Sequence, residues 1–207
     1  MDYFFSLTPL ELMWITIGVI VTILGTLVQV AIPGLAGTDY FFSLQLGGLL
    51  LSACLGGAKV GFLTPLLYLG LGLAGVQVFS QGGGPGYVQE PAFGYLVGFI
   101  PAGWICGSLA FRLMPVVEPV STARRRRSRA PQWQLRPSNL KDLLSGSLCG
   151  LMVIHGIGIT YLVLRVLWGH SFWDVVWLYS VYPLLGQLIV LMATCVVSLI
   201  LRRLLLT

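Results

Sequence analysis

The residues that could carry out chemistry are few and widely spaced in this sequence. The histidines, His155 and His170, lie in no HExxH or HxxxH pattern, so they do not predict a metal site. The lysines, Lys59 and Lys141, lie outside any GxxxxGK[ST] motif, so the chain has no phosphate-binding loop of that type. We therefore expect no metal, no cofactor and no enzymatic activity of its own.

His155 is an ionisable residue inside a long apolar run. One interpretation is a hydrogen-bonded polar residue within a helical bundle. The other is a role in ligand binding, because ionisable groups within membrane segments often mark pathways and ligand sites. The sequence leaves both open.

A glycine-rich segment bounded by prolines separates two of the apolar runs. From Gly82 to Pro91 it reads Gly-Gly-Gly-Pro-Gly-Tyr-Val-Gln-Glu-Pro. Irregular backbone near a membrane is tolerated where it borders a cavity, and glycine lets a ligand approach the main chain closely. We call residues 82–91 the glycine segment and predict a binding site there.

Composition determines the class of protein. Of 207 residues, 57% are hydrophobic and 9% are charged, and the mean hydropathy is +0.89, whereas a soluble domain carries about 25% charged residues. The sequence therefore indicates an integral membrane protein. Its net charge of +5 does not indicate a nucleic-acid partner, because cationic residues in a polytopic chain report orientation first. The four cysteines lie in apolar runs without a CxxC pair and are interpreted as small buried hydrophobes.

Six apolar runs approach the roughly 20 residues that a helix needs to cross a bilayer. They are predicted at about residues 10–32, 42–55, 60–79, 93–114, 143–167 and 175–200. The second is short and joins the third across Gly56-Gly57-Ala58-Lys59, which predicts a tight helical hairpin. The expected fold is an all-α bundle of six transmembrane helices, forming one membrane domain over residues 1–207. If the second run is re-entrant, there are five spans and the termini lie on opposite sides.

The basic residues favour six spans with both termini cytoplasmic. Of the twelve lysines and arginines, that model places all except Arg165 on the inner side, as the positive-inside rule requires. The glycine segment then faces outward. The inner linker, residues 115–137, contains the run from Arg124 to Arg129. We expect it to contact membrane lipid, since each such charge gains about 1 kcal/mol from anionic lipid. The alternative is a protein partner.

Small residues recur on one face of the first span. Gly18, Thr22 and Thr26 are four residues apart, with Gly25 beside them. Such a face lets a second helix approach closely in lipid. It predicts either a contact within the chain or the docking of a separate membrane subunit.

Residues 33–112 resemble the BioY family. The resemblance is carried by Ser43-Leu44-Gln45, residues 56–61 and 67–79, the glycine segment, and Pro91-Ala92-Phe93-Gly94-Tyr95-Leu96-Val97-Gly98-Phe99. BioY proteins are the biotin-specific S components of energy-coupling factor transporters. The resemblance implies a six-helix bundle in the cell membrane that binds biotin near its outer face. It also implies partners, namely a transmembrane coupling subunit and two ATPases.

Biotin's chemistry suggests which residues bind it. Its ureido ring needs hydrogen-bond donors and acceptors, its apolar parts need apolar walls, and its carboxylate needs a cation or several N–H groups. The residues predicted to meet these needs are Tyr87, Phe93, Gly94 and Tyr95 for walls and hydroxyls, Gly82, Gly83, Gly84 and Gly86 for N–H donors, Glu90 as the acidic group, and Asp39 and Tyr40 as a cover. For the aromatic residues, an interfacial belt is the alternative.

The last span departs from the family pattern. Many members resemble P-G-D-L-L-K there, and the acidic and basic residues are thought to meet biotin's polar ends. This chain has Leu185-Gly186-Gln187-Leu188-Ile189-Val190, so Gln187 keeps a polar group and Val190 supplies no cation. Arg165 or the N–H groups of the glycine segment are the substitutes we expect for the carboxylate.

The sequence leaves three alternatives to biotin capture. The altered last span is compatible with an S component for another small vitamin. From other classes, the chain is an intramembrane enzyme using His155 or Glu90, or a noncatalytic scaffold that presents the arginine linker.

Overall fold

A computed structural model describes residues 7–32, 40–111, 113–115, 133–135, 139–166 and 172–205. The helices are α1 (Pro9–Leu27), α2 (Gln45–Leu73), α3 (Phe93–Ala110), α4 (Leu140–Val166), α5 (Phe172–Val176) and α6 (Tyr182–Leu205). A 3₁₀ turn spans Pro85–Gln89, and a π-helical turn, Trp177–Val181, joins α5 to α6. Two antiparallel pairs complete the described part, β1 (Gln29–Ile32) with β2 (Tyr40–Ser43) and β3 (Leu113–Pro115) with β4 (Trp133–Leu135).

The described chain contains five helical stretches that are long and apolar enough to cross a membrane. They are Pro9–Leu27, Gln45–Leu73, Phe93–Ala110, Leu140–Arg165 and Phe172–Leu204. These stretches confirm the predicted class, a multi-pass helical membrane protein.

Helix α2 reverses direction at Gly57. This residue has φ 80° and ψ −167°, a conformation that glycine adopts readily because it has no Cβ. Gln45 Nε2 lies 2.9 Å from Tyr68 Oη although the residues are 23 positions apart, a separation that would span about 35 Å in a straight helix. The two halves of α2 therefore lie side by side, in the arrangement of a helical hairpin.

The helices differ in length from the predicted spans. The first predicted span, residues 10–32, is helical only to Leu27, because its last four residues pair with β2 instead. Alternation of β-branched Val30 and Ile32 with smaller or polar residues suits a strand. The third stops at Leu73 rather than residue 79, and the fourth at Ala110 rather than residue 114. Apart from the short strands β3 and β4, the linker with its arginine run lies outside the described residues.

The start of α1 and the turn of α2 lie at the same end of the bundle. Thr8 caps α1, with its Oγ1 accepting from the Glu11 N–H and the Glu11 carboxylate accepting from the Thr8 N–H. Glu11 Oε1 is also 3.6 Å from Lys59 Nζ, two residues beyond the reversal. This ion pair joins two segments far apart in the chain.

Arg202, near the end of α6, meets the same end of the bundle. Its Nε donates to the Cys54 carbonyl at 2.8 Å and one terminal nitrogen donates to the Ala110 carbonyl at 3.3 Å. Its guanidinium lies 4.0 Å above the Phe111 ring. We call this the basic end, because α1 starts there, α2 turns there, and α3 and α6 finish there.

The small residues of α1 pack inside the chain. A Cβ added to Gly18 would lie 2.5 Å from Ser52 Cβ, and one added to Gly25 would lie 2.7 Å from the Leu44 carbonyl oxygen. Thr22 and Thr26 are buried, and their hydroxyls donate to carbonyls one turn earlier in α1. The internal contact is therefore the alternative that the structure supports. All four residues are buried in this structure.

Three cysteines meet at the centre of the bundle. Cys54 Sγ is 3.8 Å from Cys106 Sγ, and Cys195 Sγ is 3.4 Å from Ser147 Oγ, which also contacts the other two thiols. All three thiols are free and buried. They act as small core residues where α2, α3, α4 and α6 meet, whereas Cys149 is exposed.

Candidate functional site

A cavity of about 400 Å³ lies far from the basic end. Gln187 lines this cavity and lies about 22 Å from Arg202 along the axis of α6, at a rise of 1.5 Å per residue. The volume falls in the range of small-molecule sites, about 300–1,000 Å³. The lining residues are Gln29, Phe42, Ser43, Gln45, Leu46, Phe79, Ser80, Gln81, Tyr87, Ala92, Tyr95, Leu96, Phe99, Ile154, Leu178, Tyr179, Pro183 and Gln187.

The cavity has an apolar floor and a polar mouth. At the floor, Leu46, Phe99 and Ile154 are buried. At the mouth, Gln29 and Gln81 are exposed, on β1 and on the loop after α2. A ligand with an apolar body and a polar tail fits this gradient.

Tyr68 fixes the orientation of the Gln45 amide. The Tyr68 hydroxyl donates its one proton to the Val78 carbonyl at 2.9 Å, so it must accept the hydrogen bond from Gln45 Nε2. The Gln45 Oε1 then remains as an acceptor at the cavity wall, since Gln45 lines the cavity. The wall thus offers an uncharged hydrogen-bond acceptor.

Gln187 and His155 form a second polar pair. His155 Nε2 lies 2.7 Å from Gln187 Oε1. With the imidazole donating to that oxygen, the Gln187 amide nitrogen remains as a donor at the wall. The Tyr95 ring packs edge-on against His155 with ring centroids 5.7 Å apart. His155 therefore supports the cavity wall from behind, through Gln187 and Tyr95.

Tyr95 also connects α3 to the π-helical turn. Its hydroxyl forms a hydrogen bond with Ser180 Oγ, and its ring fills the space above Gly158 of α4, where a Cβ would overlap the ring. The preceding residue in the turn, Tyr179, lines the cavity. Single π turns within helices often occur at functional sites.

The glycine segment shapes one wall but does not present all the N–H groups predicted for it. The Gly82 N–H donates to the Phe79 carbonyl at 3.1 Å, and the Gly84 N–H donates to the Gly72 carbonyl at 2.7 Å. These two donors are occupied within the chain, so in this structure they do not face a ligand as free N–H groups. Their bonds instead hold Phe79, Ser80 and Gln81 at the cavity.

Three aromatic rings support this wall. Phe79 lies between Tyr68 and Tyr87, with centroid distances of 5.4 and 4.5 Å. The Tyr87 hydroxyl is 3.4 Å from Ser80 Oγ, and burial raises the pKa of Tyr87. The hydroxyl therefore stays neutral and can both donate and accept.

Of the predicted site residues, Tyr87, Tyr95 and Gln187 line the cavity, and His155 contacts two of them. The others with described side chains lie elsewhere. Phe93 and Gly94 pack against Tyr161. Glu90 follows the 3₁₀ turn, and Arg165 is exposed in the last turn of α4.

The remaining four predicted site residues are Gly83, Gly86, Tyr40 and Asp39. Gly83 and Gly86 belong to the loop but are not among the residues that line the cavity. Tyr40 begins β2 and pairs with Ile32. Asp39 lies outside the described residues.

Sequence reasoning missed much of the polar lining. Gln29, Gln45 and Gln81 all reach the cavity, as do Ser43, Ser80 and Tyr179. Gln45 gave a usable signal, because it is an uncharged polar residue at the start of a long apolar run. The pairing of Gln45 with Tyr68 gave none, since it depends on how the halves of α2 meet.

The described lining contains no charged side chain, since its polar members are glutamine, serine and tyrosine. Across the described residues, no group of three or more His, Cys, Asp or Glu residues could hold a metal ion. The cavity therefore offers neutral hydrogen-bonding groups and apolar walls.

Comparison with known proteins shows the family to which this chain belongs. The model of the BioY family matches residues 5–207. A protein of Lysinibacillus sphaericus named "Probable biotin transporter BioY" is 29% identical over 173 residues, covering 80% of this chain and 74% of that protein. A protein of Cyanophora paradoxa, described as an uncharacterized 21.2 kDa protein in the psbX-ycf33 intergenic region, is 24% identical over 94% of this chain and 95% of its own length.

A solved structure shares the fold. The crystal structure of the S-component for biotin from an ECF-type ABC transporter aligns with a TM-score of 0.66 and 18% identity. The alignment covers 96% of this chain and 95% of the other.

Proposed function

Because the chain belongs to the BioY family, we propose that it is an S component, a membrane subunit that captures biotin for ATP-driven uptake by partner subunits. The observation that carries the proposal is the pair of neutral amides at the cavity wall, an acceptor on Gln45 and a donor on Gln187. A ureido ring has one carbonyl acceptor and two N–H donors. Gln187 Nε2 donates to the ring carbonyl, and Gln45 Oε1 accepts from a ring N–H.

The apolar lining accommodates the rest of the ligand. Phe42, Leu46, Leu96, Phe99 and Ile154 surround the inner part of the cavity, and burying apolar ligand surface against them contributes roughly 25 cal/mol per Å². The thiophane ring and the first part of the valeryl chain lie against these side chains. The tail leads to the polar mouth.

In the proposed topology, the chain crosses the cell membrane six times and both termini are cytoplasmic. The reversal at Gly57 supports two crossings by α2, although each half is short. The contacts of Lys59 with Glu11 and of Arg202 with Cys54 support one basic end that carries both termini. Cationic residues accumulate on the cytoplasmic side, so the cavity opens outward.

ATP-driven transport needs an ATPase. This sequence contains no GxxxxGK[ST] phosphate-binding loop. We propose that a transmembrane coupling subunit and two ATPases supply the energy. Release inside requires these partners to favour a state with lower biotin affinity. The arginine linker, at the cytoplasmic side, contacts anionic lipid.

Equilibrium binding of labelled biotin to the purified full-length chain in lipid nanodiscs tests the proposal. Biotin should bind saturably, and Gln45→Leu and Gln187→Leu should each weaken binding by about tenfold or more, because each leaves a ligand polar group unsatisfied. Gln89→Leu is the matched control, since Gln89 is exposed and is not among the residues lining the cavity. Absence of biotin binding by folded protein would overturn the proposal.

A further inference from the structure

We propose that this site recognises the ring of its ligand and not the carboxylate, so that amides of biotin bind almost as well as biotin itself. The inference rests on the proposed function and extends it to a class of ligands, the N-substituted biotin amides. It concerns the mouth of the cavity, whereas the proposed function rests on the amides of Gln45 and Gln187 at the cavity wall.

Charge at the cavity is the first observation. Every described lining residue is uncharged. Around the mouth, the described side chains are those of Gln29, Ser80, Gln81 and Leu178, all exposed. A carboxylate that reaches this mouth meets amides, a hydroxyl and water.

The positions of the cations are the second observation. Lys59 and Arg202 are held at the basic end by Glu11 and by the Cys54 carbonyl. Outside the described residues, segments 33–39 and 167–171 contain no lysine or arginine in the sequence. Arg165 is exposed in the last turn of α4 and does not line the cavity.

The chemistry of the mouth residues explains why a carboxylate tail and an amide tail bind about equally well. A glutamine amide donates to a carboxylate oxygen through its nitrogen and accepts from an amide N–H through its oxygen. Gln29 and Gln81 can therefore pair with either tail after rotating their side chains. A cation would favour the carboxylate, because hydrogen bonds between charged groups are stronger than those between neutral groups.

The open mouth also accommodates a larger tail. The exposed positions of Gln29 and Gln81 place the end of the valeryl chain next to solvent. A lysine attached to the carboxyl carbon by an amide bond extends outward and requires no change at the floor.

Competition binding tests the inference with purified full-length chain, labelled biotin, and three unlabelled ligands. These are biotin, biotinamide and Nε-biotinyl-lysine. We expect the three to compete with dissociation constants within about threefold of each other, and Arg165→Ala to leave their ratio unchanged. Gln187→Leu should weaken all three by the same factor, since it acts on the ring.

The outcomes separate the two proposals. If biotin binds and biotinamide binds more than about tenfold more weakly, a carboxylate partner exists and this inference is overturned while the proposed function stands. If Arg165→Ala then removes that preference, Arg165 is the partner. If biotin itself fails to bind folded protein, the proposed function fails.

Discussion

The amide nitrogen of Gln45 donates to the hydroxyl of Tyr68 across 2.9 Å, joining the two halves of α2 beside the cavity. Because Tyr68 donates in turn to the Val78 carbonyl, one chain of hydrogen bonds runs from the cavity wall to the loop after α2. The orientation of Gln45 thus depends on a residue that does not line the cavity.

This relationship predicts that Tyr68→Phe weakens biotin binding. The change removes the acceptor for Gln45 Nε2, so the amide loses its fixed orientation, and we expect a loss of about three- to tenfold. Gln45→Leu should cost more. In a double-mutant cycle, Tyr68→Phe should add little once Gln45 is leucine, because both act through one group. Full additivity of the two losses would contradict the proposed chain of bonds.

The contact of His155 with Gln187 predicts that a hydrogen-bond donor is needed at position 155, not a titrating group. His155→Leu should weaken biotin binding by about three- to tenfold, the net value of one hydrogen bond. His155→Gln places an amide N–H near the position of Nε2 and should restore most of the affinity. Equilibrium binding at fixed pH measures both. Failure of the glutamine variant, in folded protein, would instead favour proton chemistry at His155.

Two glycines of the loop form a matched pair for testing its backbone. Gly84 has φ +101° and open space around its Cβ position, whereas Gly86 has open space without a positive φ. Gly84→Ala should therefore cost about 1–3 kcal/mol of local backbone strain, displace the loop carrying Ser80 and Gln81, and weaken biotin binding. Gly86→Ala should bind biotin normally. If both changes weaken biotin binding equally, backbone strain at Gly84 does not explain the loss.

Arg202 predicts a stability effect that is separate from binding. Its guanidinium donates to two carbonyls near the ends of helical segments, those of Cys54 and Ala110, and carbonyls in the last turn of a helix generally need partners from outside the helix. Arg202→Met should destabilise the protein by about 2 kcal/mol, lowering the melting temperature in nanodiscs by roughly 4–8 °C for a domain of this size. Biotin affinity of the remaining folded protein should be unchanged.

The matched control for Arg202 is Lys141→Met, which removes the same charge from an exposed position in the first turn of α4. Its melting temperature should stay close to that of the unchanged chain. A similar fall in both variants would assign the effect to net charge and not to the buried contacts.

The proposed topology predicts which positions an impermeant thiol reagent reaches from outside the cell. In a chain whose native cysteines are replaced by alanine, Gln81→Cys should be labelled on intact cells, because Gln81 lies at the exposed mouth. Lys141→Cys, at the opposite end of α4 from Arg165, should be labelled only after the membrane is permeabilised. The reverse pattern would invert the proposed orientation.

The amino-acid sequence by itself determined the class of protein and the approximate positions of its helices. Long apolar runs partition into lipid whatever their neighbours are, so composition and run length are sufficient for that conclusion. The reversal at Gly57 was also readable, because two adjacent glycines interrupt an apolar run. The resemblance to the BioY family indicated biotin, and three of the residues predicted to bind it, Tyr87, Tyr95 and Gln187, line the cavity.

Only the tertiary structure decided how the remaining side chains combine. The contact of Gln45 with Tyr68, the support of Gln187 by His155, and the packing of Gly18 against Ser52 all join residues distant in sequence. Such pairs depend on the rotation and depth of each helix within the bundle. Hydropathy sets neither, because in lipid the helices are positioned by close packing and by hydrogen bonds between them.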